Sequence, residues 1–300
     1  MSGQQQVVVL GYGEMGHAME SLLKERHSLK IWQRHPGAGQ TEVELEEVVR
    51  QSDLVIFCLP VVAHRDLARR IKSSLKRETI CISIAKGLDQ NGQTAAQIFA
   101  DTFTADQAQA FIYGPMISEE IRAGHYAFAQ VACEGNENYQ RVKQLFQGST
   151  LFTTHTSDII GTSWSVVLKN VYALIFGMAD ELELGDNTRG FLAATALHEL
   201  DQIARQMGGA KGSPYHLAGL GDLITTATSE ASHHHELGRM LARGETKNLR
   251  GEGVNTLAMV NRFNLIEISH YPLFTLIDDI VRQPVNIVDK FEDYLRLRFE

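Results

Sequence analysis

Cysteine is scarce in this sequence. Its 300 residues hold three, Cys58, Cys81 and Cys133, and an odd, widely spaced set supplies neither a disulfide framework nor a zinc site. Each lies in an apolar or β-branched stretch (VIFCLP, TICISIA, AQVACEG), so each reads as a small buried strand residue. That points to a reducing compartment, the cytoplasm. Runs of lysine or arginine are also missing, and the net charge is -8. This speaks against nucleic acid or an anionic membrane surface as a partner, although a few lysines in a pocket can still hold a small anion. No long uninterrupted apolar run occurs. The longest stretch, Val166 to Ala179, contains Lys169 and Asn170 and reads as too short and too polar to span a bilayer. The opening Met1 to Gln6 is polar, and no signal peptide is read there. No repeat and no low-complexity linker is seen.

Hydrophobic residues make up 44% and charged residues 21%, enough for sizeable cores in two domains. The first half alternates. Strands are expected at Val7–Leu10, Leu29–Trp32, Leu54–Leu59, Thr79–Ile84, Ala110–Ile112 and Tyr126–Ala132, with a short one at Leu151–Thr154. Helices are expected at His17–Lys24, Glu44–Gln51, Ala63–Leu75 and around Ala95–Phe99. Apolar strands between helical stretches indicate a parallel sheet covered on both faces. From Asp158 the spacing becomes helical, with long helices at Ile159–Leu182 and Asn187–Met207 and a last one at Ile287–Phe299. The fold expected is an α/β doubly wound, Rossmann-type domain over residues 1–157, followed by an all-α domain over 158–300.

The segment VVVLGYGEMGHAM places Gly11, Gly13 and Gly16 in the G-x-G-x-x-G spacing, directly after a strand and at the start of a helix. That context makes it a dinucleotide fingerprint, with Glu14 and Met15 inside the loop. Gly11 permits the tight turn, Gly13 lets backbone approach a pyrophosphate, and Gly16 lets helix and strand pack closely. The second strand ends in Trp32-Gln33-Arg34-His35 and lacks the acid that grips the ribose hydroxyls of NAD. Arg34 can pair with a 2′-phosphate instead, which favours NADP over NAD, or it is a solvated surface residue.

Three further positions stand out: Lys86 in SIAKGL, Lys169-Asn170 in VVLKNVYAL, and Asp222 in LAGLGDLIT. Singly, each has a bland reading as a solvated lysine, a snorkelling lysine and a helix cap. In order with YGP, LGDNT and a late GEG, the series resembles the NAD(P)-dependent glycerol-3-phosphate dehydrogenases along nearly the whole chain. The resemblance implies hydride transfer between sn-glycerol 3-phosphate and dihydroxyacetone phosphate, feeding glycerophospholipid synthesis, with a small phosphorylated three-carbon substrate, NAD or NADP as cofactor, and a homodimer. It implies Lys169 as acid/base, Lys86 against substrate and cofactor, and Asp222 as a partner of lysine or substrate. It also implies Asn170 as a substrate-orienting neighbour, Gly114 near the substrate, Ser118 facing the cofactor, and Glu252 on the nicotinamide side. The residue types suit the chemistry: a ketone reduced by hydride gains negative charge on oxygen, which an ammonium stabilises and then protonates.

The sequence departs from the family in Ser232-His233-His234, where Ser-Arg-Asn is usual. Ser232 is kept. His233 takes the place of an arginine that would hold phosphate, without its guanidinium fork, and His234 replaces the asparagine. Met116 stands where a small hydroxyl residue is common, and Met15 where an aromatic is common. These changes suggest an altered phosphate pocket, to which Arg239 could contribute. Adjacent histidines on a helix point apart and no carboxylate or cysteine cluster accompanies them, so no metal site is read. Two other readings stand beside the main one: a related dehydrogenase of another small hydroxy acid or polyol phosphate, and a nonenzymatic NADP(H) redox sensor.

Overall fold

The structure is a computed structural model. It describes residues 4–35, 44–229, 232–245, 247 and 249–300; part of the polar opening read above lies outside them. The chain divides into two compact units, Met1–Asp89 with Gln93–Ile159, and Gln90–Gly92 with Ile160–Glu300.

Among the described residues of the first unit, seven strands form one sheet in the order β2-β1-β3-β4-β5-β6-β7. They are β1 (Gln6–Leu10), β2 (Ser28–Trp32), β3 (Leu54–Phe57), β4 (Ile80–Ser83), β5 (Gln109–Tyr113), β6 (Ala127–Cys133) and β7 (Leu151–Thr156). Apart from exposed Gln6 and buried Ser83, β1, β3 and β4 are runs of Val, Ile, Leu, Phe and Cys buried on both faces, the pattern of a covered parallel sheet. Six helices connect the strands: α1 (Glu14–Leu23), α2 (Leu45–Gln51), α3 (His64–Ile71), α4 (Ala95–Thr102), α5 (Ser118–Arg122) and α6 (Asn136–Leu145). α4 starts at a capping box in which Thr94 and Gln97 each satisfy the other's backbone amide. Strand order reverses between β1 and β3, and such a switch point leaves a crevice at the strands' C-terminal ends.

The all-parallel expectation fails at one place, because β6 runs antiparallel to β5. The only helix in their connection is α5, five residues long. At about 1.5 Å per residue it is too short to return the chain along a strand for a parallel crossover. The helix expected from Ala63 is also divided: a 3-10 turn at Val61–Ala63 leads into α3, which ends at Ile71.

The second unit is helical, with α7 (Ile159–Glu181), α8 (Gly185–Gln206), α9 (Asp222–Thr228), α10 (His233–Ala242), α11 (Glu252–Phe263), α12 (Pro272–Arg282) and α13 (Ile287–Phe299). α7 is its axis. By length and apolar composition it would suffice to cross a bilayer, which the sequence reading denied, but 89% of its apolar window is buried inside the protein. A helix apolar on all sides and covered by other helices is a core helix. Its packing is tight: a β-carbon on Gly177 would come within 1.9 Å of the His235 carbonyl, and one on Gly238 within 2.1 Å of the Leu174 carbonyl. α10 therefore crosses α7 at backbone contact. The buried Glu199 carboxylate accepts the Leu273 and Phe274 amides at 2.8 and 2.9 Å, capping α12, and also the Tyr172 hydroxyl at 2.9 Å.

Candidate active site

In the first unit the glycine loop lies at the switch point. Gly11 has φ +97, and a β-carbon there would meet the Cys58 carbonyl at 2.6 Å; one on Gly16 would meet the Gly11 carbonyl at 2.4 Å. Both positions therefore require glycine. Among the described residues a β-carbon on Gly13 would meet nothing within 4 Å, so none of them covers the backbone there at the start of α1, where unpaired helix amides attract anions. This loop fits a dinucleotide pyrophosphate. Glu14 opens α1. Its Oε2 accepts from Arg122 at 2.9 Å and lies 3.3 Å from the Ser118 hydroxyl, which is 2.8 Å from the Glu14 carbonyl oxygen. Met15 packs against the core of this unit. Lys86 follows β4 and is half-buried, while Arg34, two residues past β2, is exposed.

The end of β4 is braced from below. Buried His64 accepts a hydrogen bond from the Ser83 hydroxyl at its Nε2 (2.9 Å) and donates from Nδ1 to the Pro60 carbonyl at 3.2 Å. The Ser83 oxygen in turn accepts the Ala85 amide at 3.2 Å, one residue before Lys86. Burial holds the His64 pKa down to about 4, against a smaller opposing effect of the Pro60 carbonyl.

In the second unit α7 and α9 bring Lys169 and Asp222 together. Lys169 Nζ is 3.0 Å from Asp222 Oδ2 with side chains only 4% and 5% exposed. Lys169 also donates to Thr226 Oγ1 at 2.6 Å, and Thr226 donates to the Asp222 carbonyl oxygen at 2.7 Å. So Lys169 does not snorkel and Asp222 does not cap. α9 continues out of a π-type turn, Leu217–Gly221, which frees the Asp222 carboxylate to face the ammonium. One residue on, Asn170 Nδ2 donates to Glu252 Oε2 at 2.9 Å, while buried Asn170 Oδ1 has no hydrogen-bond partner among the described residues. A β-carbon on Gly253 would meet the Asn170 carbonyl at 2.4 Å, so the glycine after Glu252 lets α11 close on α7 and bring that carboxylate to Asn170.

The family model for the NAD-dependent glycerol-3-phosphate dehydrogenase N-terminus matches residues 39–139, and the C-terminal one matches residues 158–291. A Gloeobacter violaceus protein named glycerol-3-phosphate dehydrogenase (NAD(P)+) is 32% identical over 267 residues, covering 86% of each chain. This chain belongs to the NAD-dependent glycerol-3-phosphate dehydrogenase family. A Synechocystis relative of the same name is 28% identical over 308 residues, covering 98% of this chain and 96% of that one. Among solved structures, glycerol-3-phosphate dehydrogenase from Coxiella burnetii shares the fold, with TM-score 0.83 at 20% identity over 97% of this chain and 99% of that one.

Within this family frame, several residues singled out in the sequence have structural tasks. Met116 is 6% exposed and belongs to the hydrophobic core of the first unit, so packing constrains its size. Gly114, with φ +155, is needed because a β-carbon would meet the Phe128 carbonyl at 2.4 Å. Ser232 caps α10, accepting the His235 amide at 3.3 Å. The exposed His233 donates from Nε2 to the Arg250 carbonyl at 2.6 Å, since a carbonyl can only accept. His234 is half-buried beside it, with ring centroids 5.9 Å apart. His235 points elsewhere and meets Asp180 at 2.6 Å. Arg239 has its Nε buried, without a hydrogen-bond partner among the described residues. Among the described residues no group of three or more His, Cys, Asp or Glu side chains could hold a metal ion.

Thr226, Arg122 and His64 were not singled out in the sequence. Thr226 follows Asp222 by four residues on α9, and that spacing marks a shared helix face. Arg122 and His64 meet their partners only through the fold and carry no comparable local signal.

Proposed function

We propose that this protein interconverts dihydroxyacetone phosphate and sn-glycerol 3-phosphate with NAD or NADP, and that Lys169 is its acid/base. The observation that carries the reading is the buried Lys169–Asp222 pair with Thr226, in a chain whose first strand runs into a fitting glycine loop. The dinucleotide, when bound, supplies or accepts the hydride. Gly11, Gly13, Glu14, Met15, Gly16, Ser118 and Glu252 make up its surroundings, and Arg34 pairs with a 2′-phosphate, giving a preference for NADP.

In the reduction, negative charge grows on the substrate's carbonyl oxygen. Lys169, held by Asp222 and Thr226, stabilises that charge and hands over a proton; in the reverse direction it takes the proton back. Lys86, at the end of β4, adds a second positive charge toward substrate and cofactor. Asn170 orients a substrate hydroxyl, and its buried Oδ1, without a partner among the described residues, supports that role. Gly114, Ser232, His233 and His234 flank the phosphate. We further propose that the enzyme works in the cytoplasm as a homodimer, which light scattering on the purified protein tests.

Function is tested by following loss of reduced-nicotinamide absorbance from NADPH and from NADH with dihydroxyacetone phosphate. Turnover is expected, faster at limiting NADPH. Tight dinucleotide binding without turnover would transfer the reading to another carbonyl substrate or to a redox sensor.

A further inference from the structure

Glu14 is an acid in an awkward place. It is the first residue of α1, beside the amides that the dinucleotide reading assigns to a pyrophosphate, and a helix N-terminus attracts a carboxylate as it attracts a phosphate. Left to itself, this side chain would compete with the pyrophosphate for those amides and repel it. The structure turns it away. Ser118 and Arg122 lie four residues apart on α5, on one helical face. From there the guanidinium holds Glu14 Oε2 at 2.9 Å and the Ser118 hydroxyl lies 3.3 Å from the same oxygen.

We infer that Arg122, assisted by Ser118, is a positioning residue for cofactor binding: it holds the Glu14 carboxylate off the N-terminus of α1 and neutralises it, leaving the amide donors to the dinucleotide. The inference rests on the dinucleotide reading of the glycine loop. The ion pair has side chains 41% and 64% exposed. Such a pair adds little to folding stability, so changing either partner leaves a folded protein in which only local electrostatics differ.

The test is a double-mutant cycle on the full chain, read as the Kd for NADPH and for NADH by fluorescence titration without substrate. Arg122→Ala is expected to weaken binding about fivefold at low ionic strength, and added salt should shrink the deficit. Glu14→Gln should bind the dinucleotide more tightly than the native chain, because the charge that repels the pyrophosphate is gone. The double variant should return to the Glu14→Gln value, because Arg122 has no charge left to manage. Native-like affinity in Arg122→Ala overturns the inference. So does a deficit that persists in the double variant, which would mean that Arg122 touches the dinucleotide directly. Failure of the native chain to bind either dinucleotide overturns the inference together with the reading beneath it.

Discussion

Lys169 Nζ lies 3.0 Å from Asp222 Oδ2, both side chains being withdrawn from solvent, so each charge helps to offset the water the other has lost. Removing one partner of such a pair leaves a buried charge unanswered, at a cost of about 3–5 kcal/mol. Lys169→Met and Asp222→Leu should each lower stability by about that much in urea denaturation. The double variant should lose less than the sum of the two, by more than about 1 kcal/mol. Strict additivity would mean that the pair does not form in solution.

The same ammonium is proposed to do the chemistry. Lys169→Ala should lower kcat for dihydroxyacetone phosphate reduction by about 100- to 10,000-fold while NADPH affinity is retained. Lys169→Arg should not rescue it, since a guanidinium keeps its proton. Steady-state rates beside a binding titration check both. Unchanged turnover in the alanine variant would remove Lys169 from the mechanism.

His64 makes stability depend on pH. Burial holds its folded pKa down to about 4, against about 6.5 in an unfolded chain. Below about pH 6.5 the unfolded chain takes up a proton that the folded protein refuses. Stability is therefore full above that pH and is lost as pH falls toward 4, by about 3 kcal/mol at most. His64→Leu should lack this part of the slope when denaturation midpoints are compared between pH 7 and 4. Parallel slopes in the two proteins would contradict the assignment.

Two helical glycines should respond oppositely to one added methyl group. At Gly177 the β-carbon would stand 1.9 Å from the His235 carbonyl, so Gly177→Ala must push α10 off α7 and should cost about 1–3 kcal/mol or more. α10 begins at His233, proposed above to flank the substrate phosphate, so the apparent KM should rise as well. At Gly190, exposed on α8, the β-carbon meets nothing within 4 Å, and Gly190→Ala should stabilise by about 0.4–1 kcal/mol. Thermal denaturation of the two variants is the check.

Much of the fold was legible because its signals are local. β1, β3 and β4 announce themselves as unbroken apolar runs, and the two long helices carry 3.6-residue periodicity over many turns. The glycine spacing is equally local, since tight turns and close approaches are properties of a few consecutive residues. β6 was placed correctly along the chain but not in direction. Direction depends on whether the connection after β5 can return the chain, and α5 is too short to do so.

For the candidate site, the types of Lys169, Asn170 and Asp222 were readable, and so was the family they point to. Their surroundings were not. Met116 packs into the core of the first unit, which its neighbours at the GP turn do not announce. Arg122 means little until α5 sets it beside Glu14.

The sequence by itself determined the order of elements, the glycine loop and the residues able to carry charge or protons, because backbone preference and hydrophobic period act over short distances. Only the tertiary structure decided that Lys169 faces Asp222, that Asn170 meets Glu252, that His64 braces the end of β4, and that Glu14 is held by Arg122. Those pairings join residues 19 to 108 positions apart, and they form only when packing removes the alternatives that water offers each group.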